Sequence, residues 1–263
     1  MSDRRFLSAD DMSGGQAHRL LANAWLRPKP NATPDRQCLW GDAFQVLKSH
    51  GEDAFGYRKK DGYAGWVRQS DLGPNFEPTH FVSVRTTWAW SAPDFKTEPL
   101  FDLHLNASVK VTSKNEIWFE IQNGTSTAYL SAAHCADVNE PFADPIAAAR
   151  LYLGTPYVWA GNSGFGIDCS GLVQEAFQAA GRHCAADSDL QEAMPGQPID
   201  TAGPFQPGDL IFWRRHVGLV TDANQMIHAN AHHMAVVEEP IEKAMERIAA
   251  TETGRASSAL RPI

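Results

Sequence analysis

One stretch limits what this chain can fold into more than any other: residues 155–181, TPYVWAGNSGFGIDCSGLVQEAFQAAG. Its first half is a loop punctuated by Gly161, Gly164 and Gly166. Its second half carries Leu172, Val173, Ala176, Phe177 and Ala180 at helical spacing. Gly181 stands where such a helix stops. Cys169 sits at the junction, in the first turn, where unpaired backbone N–H groups and the positive end of the helix dipole favour thiolate over thiol. A thiolate is a nucleophile, whereas a cysteine without partners would be a small buried hydrophobe.

Two later stretches favour the nucleophile. PGDLIFWRRHVGLVTD sets His216 at the start of the apolar run 217–220, and QMIHAN sets His228 in the next one. Cysteine, then histidine, then a polar residue that orients it is the chain order of papain-like nucleophilic sites. The imidazole serves as base and counter-ion, and a third group on its other nitrogen fixes tautomer and ring orientation. Asp168, adjacent to the cysteine on the same turn, points elsewhere and is expected to orient the loop. His228, His232 and His233 invite a metal, but they fall on a strand and a turn without a completing carboxylate or thiolate, so no metal is expected.

The 263 residues, 43% of them hydrophobic, are enough for two or three buried cores. A net charge of −8 with no lysine or arginine run argues against nucleic acid or an anionic membrane as partner. No apolar run reaches membrane-spanning length. MSDRRFLSADDMSGGQAHRL has early arginines but neither an apolar core nor a small-residue cleavage site. The chain taken as whole is therefore expected in the cytoplasm; one trimmed of its leader would read the same way. Cys38, Cys135, Cys169 and Cys184 lie far apart with no C-x-x-C pair, which favours free thiols.

Residues 1–14 are polar and form an N-terminal arm. Residues 15–76 hold short β-like runs, with alternation at Phe44, Val46, Trp66 and Val67 and a tight turn at Asp61–Gly62. After a linker marked by Pro74 and Pro78 the pattern returns over residues 79–138: Leu39-Trp40 corresponds to Leu100-Phe101 and AGWVRQSDL to TAYLSAAHC, a repeat of roughly 60 residues. Both copies resemble bacterial SH3-like domains, the second more divergent. Their tryptophans, Trp25, Trp40, Trp66, Trp88, Trp90 and Trp118, are expected mostly in cores rather than on a sugar-stacking surface. NEPFADP then introduces residues 139–263. These begin with a helix capped by Asp144, with Pro145 at its first position and Gly154 at its end. The nucleophile helix follows, then strands near 210–213, 217–221, 226–229 and 234–237, then the helix IEKAMERI. The tail from Thr251 shows no clear element. The fold class expected is multidomain: two small all-β SH3-like barrels followed by an α+β papain-like cysteine peptidase domain.

DCSGLVQ, GDLIFW with HVGLV, and IHA together resemble the NlpC-type family of papain-like cell-wall cysteine peptidases. The resemblance extends to the branch that bears bacterial SH3-like domains, the γ-D-glutamyl-L-diamino acid endopeptidases of murein recycling. It implies Cys169 as nucleophile, His216 as base and His228 as orienting third member. Tyr157 of TPYVWAG matches the family tyrosine near the oxyanion position, and Ala160 stands where the family has glycine. Asp187 and Ser188 match the pair that binds the substrate's free amine, although Ala185 and Ala186 replace the family's proline and arginine. Ser188 and Gln191 also have capping-box spacing for a short helix. Asp42 in LWGD and Tyr63 in DGYAGW match substrate-binding positions of the first barrel; without the resemblance they read as a solvated loop acid and a strand-edge aromatic.

The activity implied is hydrolysis of the bond between γ-D-glutamate and meso-diaminopimelate in murein tripeptides or tetrapeptides with a free N-terminal L-alanine. It needs no cofactor, and a monomer is expected. The alternatives are a papain-like amidase or acyltransferase, since acyl-thioenzyme chemistry serves all three, and a non-catalytic cell-wall peptide-binding protein.

Overall fold

The computed structural model describes residue 3, residues 5–8 and residues 10–263. The chain forms two compact units, Met1–Pro141 with Asn162–Gly164, and Phe142–Gly161 with Phe165–Ile263. The first is built of strands, and the second mixes strands with helices. Met1, Ser2, Arg4 and Ala9 of the expected arm lie outside the described residues. Elsewhere in the arm the Arg5 carbonyl accepts the Ala64 N–H at 2.9 Å, and the Gly14 carbonyl accepts Gln45 Nε2–H at 2.8 Å.

In the first unit the first run of strands is β1 (Gln16–Leu20), β2 (Ala24–Leu26), β3 (Arg36–Cys38), β4 (Ala43–His50), β5 (Asp53–Arg58), β6 (Ala64–Arg68) and β7 (Leu72–Pro74). The second is β8 (His80–Val82), β9 (Thr86–Trp90), β10 (Pro99–His104), β11 (Ser108–Val109), β12 (Val111–Lys114), β13 (Trp118–Asn123), β14 (Ser126–Ser131) and β15 (Cys135–Asp137). The repeated segments have the same local structure, since β6 and β14 each lead through a 3₁₀ turn, Gln69–Asp71 or Ala132–His134, into the closing strand β7 or β15. Strand order is β6-β5-β4-β1-β7 in the first run. With β11 and β12, which flank Lys110, taken as one bent strand, the second run pairs as β14-β13-β12/β11-β8-β15, the same order. Gly62 takes up the left-handed conformation (φ 74°) that the turn between β5 and β6 requires.

The tryptophans divide differently from expectation. Trp40 is 1% exposed, stacked on Phe101 at 5.6 Å and packed with Val82, Leu103, Val109, Ile121 and Leu130. Trp88 is 42% exposed, and Trp25, Trp66, Trp90 and Trp118 are half-buried. Strand alternation is the cause: along β9, Thr87 and Ala89 take the inward positions, which turns Trp88 outward.

The second unit opens with α1 (Pro145–Arg150). Asp144 Oδ1 caps it by accepting the Ile146 N–H at 2.9 Å, and Gly154 turns the chain at φ 79°. The glycine-rich loop carries β16 (Asn162–Ser163), which belongs to the first unit, and β17 (Gly166–Ile167), and leads into α2 (Cys169–Ala179), after which Gly181 adopts φ 68°. Next come α3 (Ser188–Glu192), β18 (Gly196–Ile199), β19 (Leu210–Trp213), β20 (His216–Asp222), β21 (Gln225–Asn230), β22 (Ala235–Pro240), α4 (Ile241–Ala249) and β23 (Ser258–Pro262). The sheet is antiparallel, in the order β18-β23-β19-β20-β21-β22. Helix α2 packs against α1, β20 and β21. Helix α4 buries Ile241, Ala244 and Ile248 with Ile211, Trp213, Val220 and Met226. The tail from Thr251 contains a strand after all: β23 lies inside the sheet, between β18 and β19, with Ala259 and Leu260 buried.

Candidate active site

The site is assembled at the N-terminus of α2. Asp168 is its N-cap: Oδ1 accepts the Gly171 N–H at 2.7 Å and the Ser170 hydroxyl at 3.0 Å, while Oδ2 accepts the Ala160 N–H at 2.9 Å. One carboxylate thus holds both the helix end and the loop before it. Ala160 is left-handed (φ 64°), which is why glycine suits that position.

Cys169 is 7% exposed. Its Sγ lies 4.0 Å from the Arg215 carbonyl oxygen and beside the Val217 N–H, so the thiol rests against the backbone on both sides of His216. His216, at the start of β20, places Nε2 2.8 Å from His228 Nδ1 on β21. His228 is fully buried, and its Nε2 lies 2.7 Å from Glu239 Oε1. Arg247 of α4 donates to both oxygens of Glu239, at 2.7 and 2.6 Å. Tyr157, His216, His228, Asn230 and Arg247 line a depression of about 300 Å³.

The electrostatics correct one expectation. Burial pushes the Cys169 thiol up to about 12 and the Asp168 charge adds to this, while the N–H groups of Val217, Ser170 and Cys169 offset only part. Burial, then the neighbouring His228 and Arg247, lower His216 to about 3 against the opposing pull of Glu239. Both shifts favour the neutral thiol and the neutral imidazole, so burial opposes the thiolate that a helix N-terminus alone would favour at Cys169. Tyr157 is pushed upward by burial and by the neighbouring Asp168 charge, and stays a phenol able to donate.

Asp187 and Ser188 belong to the same unit. Asp187, not Ser188, is the N-cap residue of α3, and it makes no side-chain cap bond. Gln191 does not close a capping box: its Nε2 donates to the Ser170 carbonyl at 2.9 Å and the Ala185 carbonyl at 3.0 Å, which ties α3 to the nucleophile turn. Asp42 and Tyr63 lie in the first unit and match neither simple reading of them. Asp42 is 7% exposed, accepting the Leu39 N–H at 3.0 Å and pairing with Lys60 at 3.1 Å. Tyr63 is fully buried beside the ion pair of Arg58 with Asp61, whose Oδ1 accepts the Tyr63 N–H at 3.1 Å. His233 donates its N–H to Asn230 Oδ1 at 2.9 Å, and its ring meets that of His232 edge-on at 4.7 Å.

Glu239 and Arg247 escape a sequence reading because EEP and KAMERI look like solvated charge. The signal lies in the register: Met226 faces Glu239 and His228 faces Val237, which makes Glu239 the diagonal, same-face neighbour of His228.

Comparison with known proteins agrees with this architecture. Residues 154–252 match the NlpC/P60 family, and residues 26–72 match the bacterial dipeptidyl-peptidase Sh3 domain. A γ-D-glutamyl-L-lysine dipeptidyl-peptidase of Bacillus cereus is 29% identical over 72% of this chain and 62% of its own length. The dipeptidyl-peptidase 6 of Lysinibacillus sphaericus is 25% identical over 80% of this chain and 85% of its own. The chain thus spans about three fifths of the first relative and most of the second. The crystal structure of an NlpC/P60 family protein from Bacillus cereus superposes with a TM-score of 0.76 at 23% identity, covering 94% of this chain and 99% of that one. This chain therefore carries an NlpC/P60 domain over residues 154–252 and a bacterial dipeptidyl-peptidase Sh3 domain over residues 26–72.

Proposed function

We propose that the protein is a cysteine endopeptidase of murein peptides, cleaving between γ-D-glutamate and meso-diaminopimelate in peptides that keep a free N-terminal L-alanine. The observation that carries this reading is the thiol of Cys169 set against the backbone flanking His216, whose ring is bonded to His228 at 2.8 Å. His216 removes the thiol proton as sulfur attacks the γ-carbonyl carbon, and a C–S bond forms. The tetrahedral oxyanion is stabilised by N–H groups at the start of α2 and by the Tyr157 hydroxyl. His216 returns the proton to the leaving amine as the C–N bond breaks. Water, deprotonated by the same imidazole, then releases the acid and restores the thiol. Asp187 and Ser188 are assigned to the amino end of the substrate.

The relatives' printed names, which specify γ-D-glutamyl-L-lysine and dipeptidyl-peptidase activity, support the reading. In domain terms we read residues 15–76 as one SH3-like barrel, 79–138 as a second, divergent one on its shared strand order, and 139–263 as the peptidase. A role in cell-wall peptide recycling follows from the free amine.

The test is mass spectrometry of products from a panel of murein peptides, free and N-acetylated, carrying lysine or meso-diaminopimelate. The expected product pair is L-Ala-D-Glu and a peptide beginning at the diamino acid, absent with Cys169→Ala. Cleavage at another bond, or undiminished cleavage by Cys169→Ala, overturns the proposal.

A further inference from the structure

Behind the two histidines the hydrogen bonds continue in one direction. Arg247 holds Glu239 with two N–H groups, Glu239 Oε1 meets His228 Nε2 at 2.7 Å, and His228 Nδ1 meets His216 Nε2 at 2.8 Å. The protons on this chain can be assigned. Glu239 accepts from a guanidinium on both oxygens; burial alone would raise its carboxyl, but the bonds from His228 and Arg247 hold it well below the carboxylate range. An ionised carboxylate only accepts, so His228 Nε2 carries a proton. Asn230 does not compete for that role: its oxygen is taken by the His233 N–H at 2.9 Å, and its amide nitrogen, 3.0 Å from His228 Nε2, is itself a donor. With Nε2 protonated and the fully buried ring held neutral, His228 Nδ1 is a bare acceptor. His216 Nε2 must then donate to it, which leaves His216 Nδ1 without a proton.

We propose that Glu239, clamped by Arg247, is a positioning residue that sets the direction of protons through His228 and His216, so that His216 presents a bare Nδ1 as base. This builds on the peptidase reading, in which His216 takes the Cys169 proton. Without Glu239, the group left at His228 Nε2 is the Asn230 amide nitrogen at 3.0 Å, a donor that favours a bare Nε2 and so the Nδ1–H tautomer. The reversed chain, with His228 Nδ1–H donating to His216 Nε2, protonates Nδ1 of His216 and removes the base. The groups facing the pair bear on the same balance: His228 and Arg247 oppose a charge on His216, His233 and Arg247 oppose one on His228, and Glu239 favours charge on both.

The test pairs ¹⁵N-histidine NMR of the resting protein with kinetics on L-Ala-γ-D-Glu-meso-diaminopimelate, for wild type, Glu239→Ala and Glu239→Gln. In wild type, His228 is expected as the Nε2–H tautomer and His216 with Nδ1 bare. Glu239→Ala is expected to shift both rings toward the reversed tautomers and to lower kcat by about ten- to a hundredfold with KM little changed, a milder version of removing a triad orienter. Glu239→Gln, which keeps an acceptor oxygen, is expected to fall between. Should Glu239→Ala fail to fold, the tautomers of Glu239→Gln decide. Unchanged tautomers together with wild-type kcat overturn the proposal. If wild type cleaves no murein peptide, the peptidase reading fails, while the NMR spectra still decide the tautomer assignment.

Discussion

At Cys169 burial outweighs the helix dipole. The thiol is raised to about 12 while His216 is lowered to about 3, which favours the neutral pair before substrate binds. The sign of the pH effect follows. In the proposed mechanism His216 acts as base in its neutral form, and a lowered pKa keeps that form populated far below the ordinary histidine value of about 6.5. The acid limb of kcat/KM is therefore expected well below pH 6.5, measured on a peptide whose own groups do not titrate there; a limb at or above that value contradicts the assignment. The residues to which the proposal gives this chemistry could be named from the sequence, because nucleophile, base and orienter differ in type and follow one another in a known order. Glu239 and Arg247 were not legible, because a charge beside a strand end reads as solvated until the register of β21 and β22 brings it diagonally beside His228.

Among elements, the join between the glycine-rich loop and α2 is the tightest feature of the second unit. A Cβ on Gly171 would stand 2.4 Å from the Gly161 carbonyl oxygen, closer than side chains tolerate, and 3.1 Å from the Asp168 carboxylate Oδ1. Gly171→Ala must part loop from helix and strain the Asp168 cap, so a loss of about 2–3 kcal/mol is expected from its urea unfolding midpoint. A variant as stable as wild type would show that the loop yields freely. The glycines of this loop were visible in the sequence, but which of them is sterically obligatory depends on the approach of two backbones. Strand β23 was hidden for another reason: only Ala259 and Leu260 of SALRP are buried, too short an apolar signal to mark a strand inside a sheet. Conversely, the repeat AGWVRQSDL/TAYLSAAHC was readable because a strand, a 3₁₀ turn and a closing strand keep their spacing even as the residues change.

For the whole molecule, the balance of charge favours one end of the proposed substrate. Net charge is −8, with 23 lysines and arginines against 31 acidic residues, and such a field attracts an ammonium and repels the carboxylates of a murein peptide. Long-range attraction does not select a terminus, however; that takes a local acid. Asp187 starts the short helix that Gln191 ties to the Ser170 carbonyl, one residue from the nucleophile. Charge-assisted hydrogen bonds to an ammonium there contribute about 1.5–3 kcal/mol, equivalent to roughly one to two decades in kcat/KM. Acetylating the L-alanine amine is therefore expected to cost wild type about ten- to a hundredfold. Asp187→Asn is expected to lower kcat/KM for the free peptide by a similar factor while barely affecting the acetylated one. Kinetics on both peptides with both proteins separate amine recognition from a general defect, because damage to the site slows both peptides together. If wild type cleaves free and acetylated peptides equally, the amine is not read and Asp187 has no place in binding it.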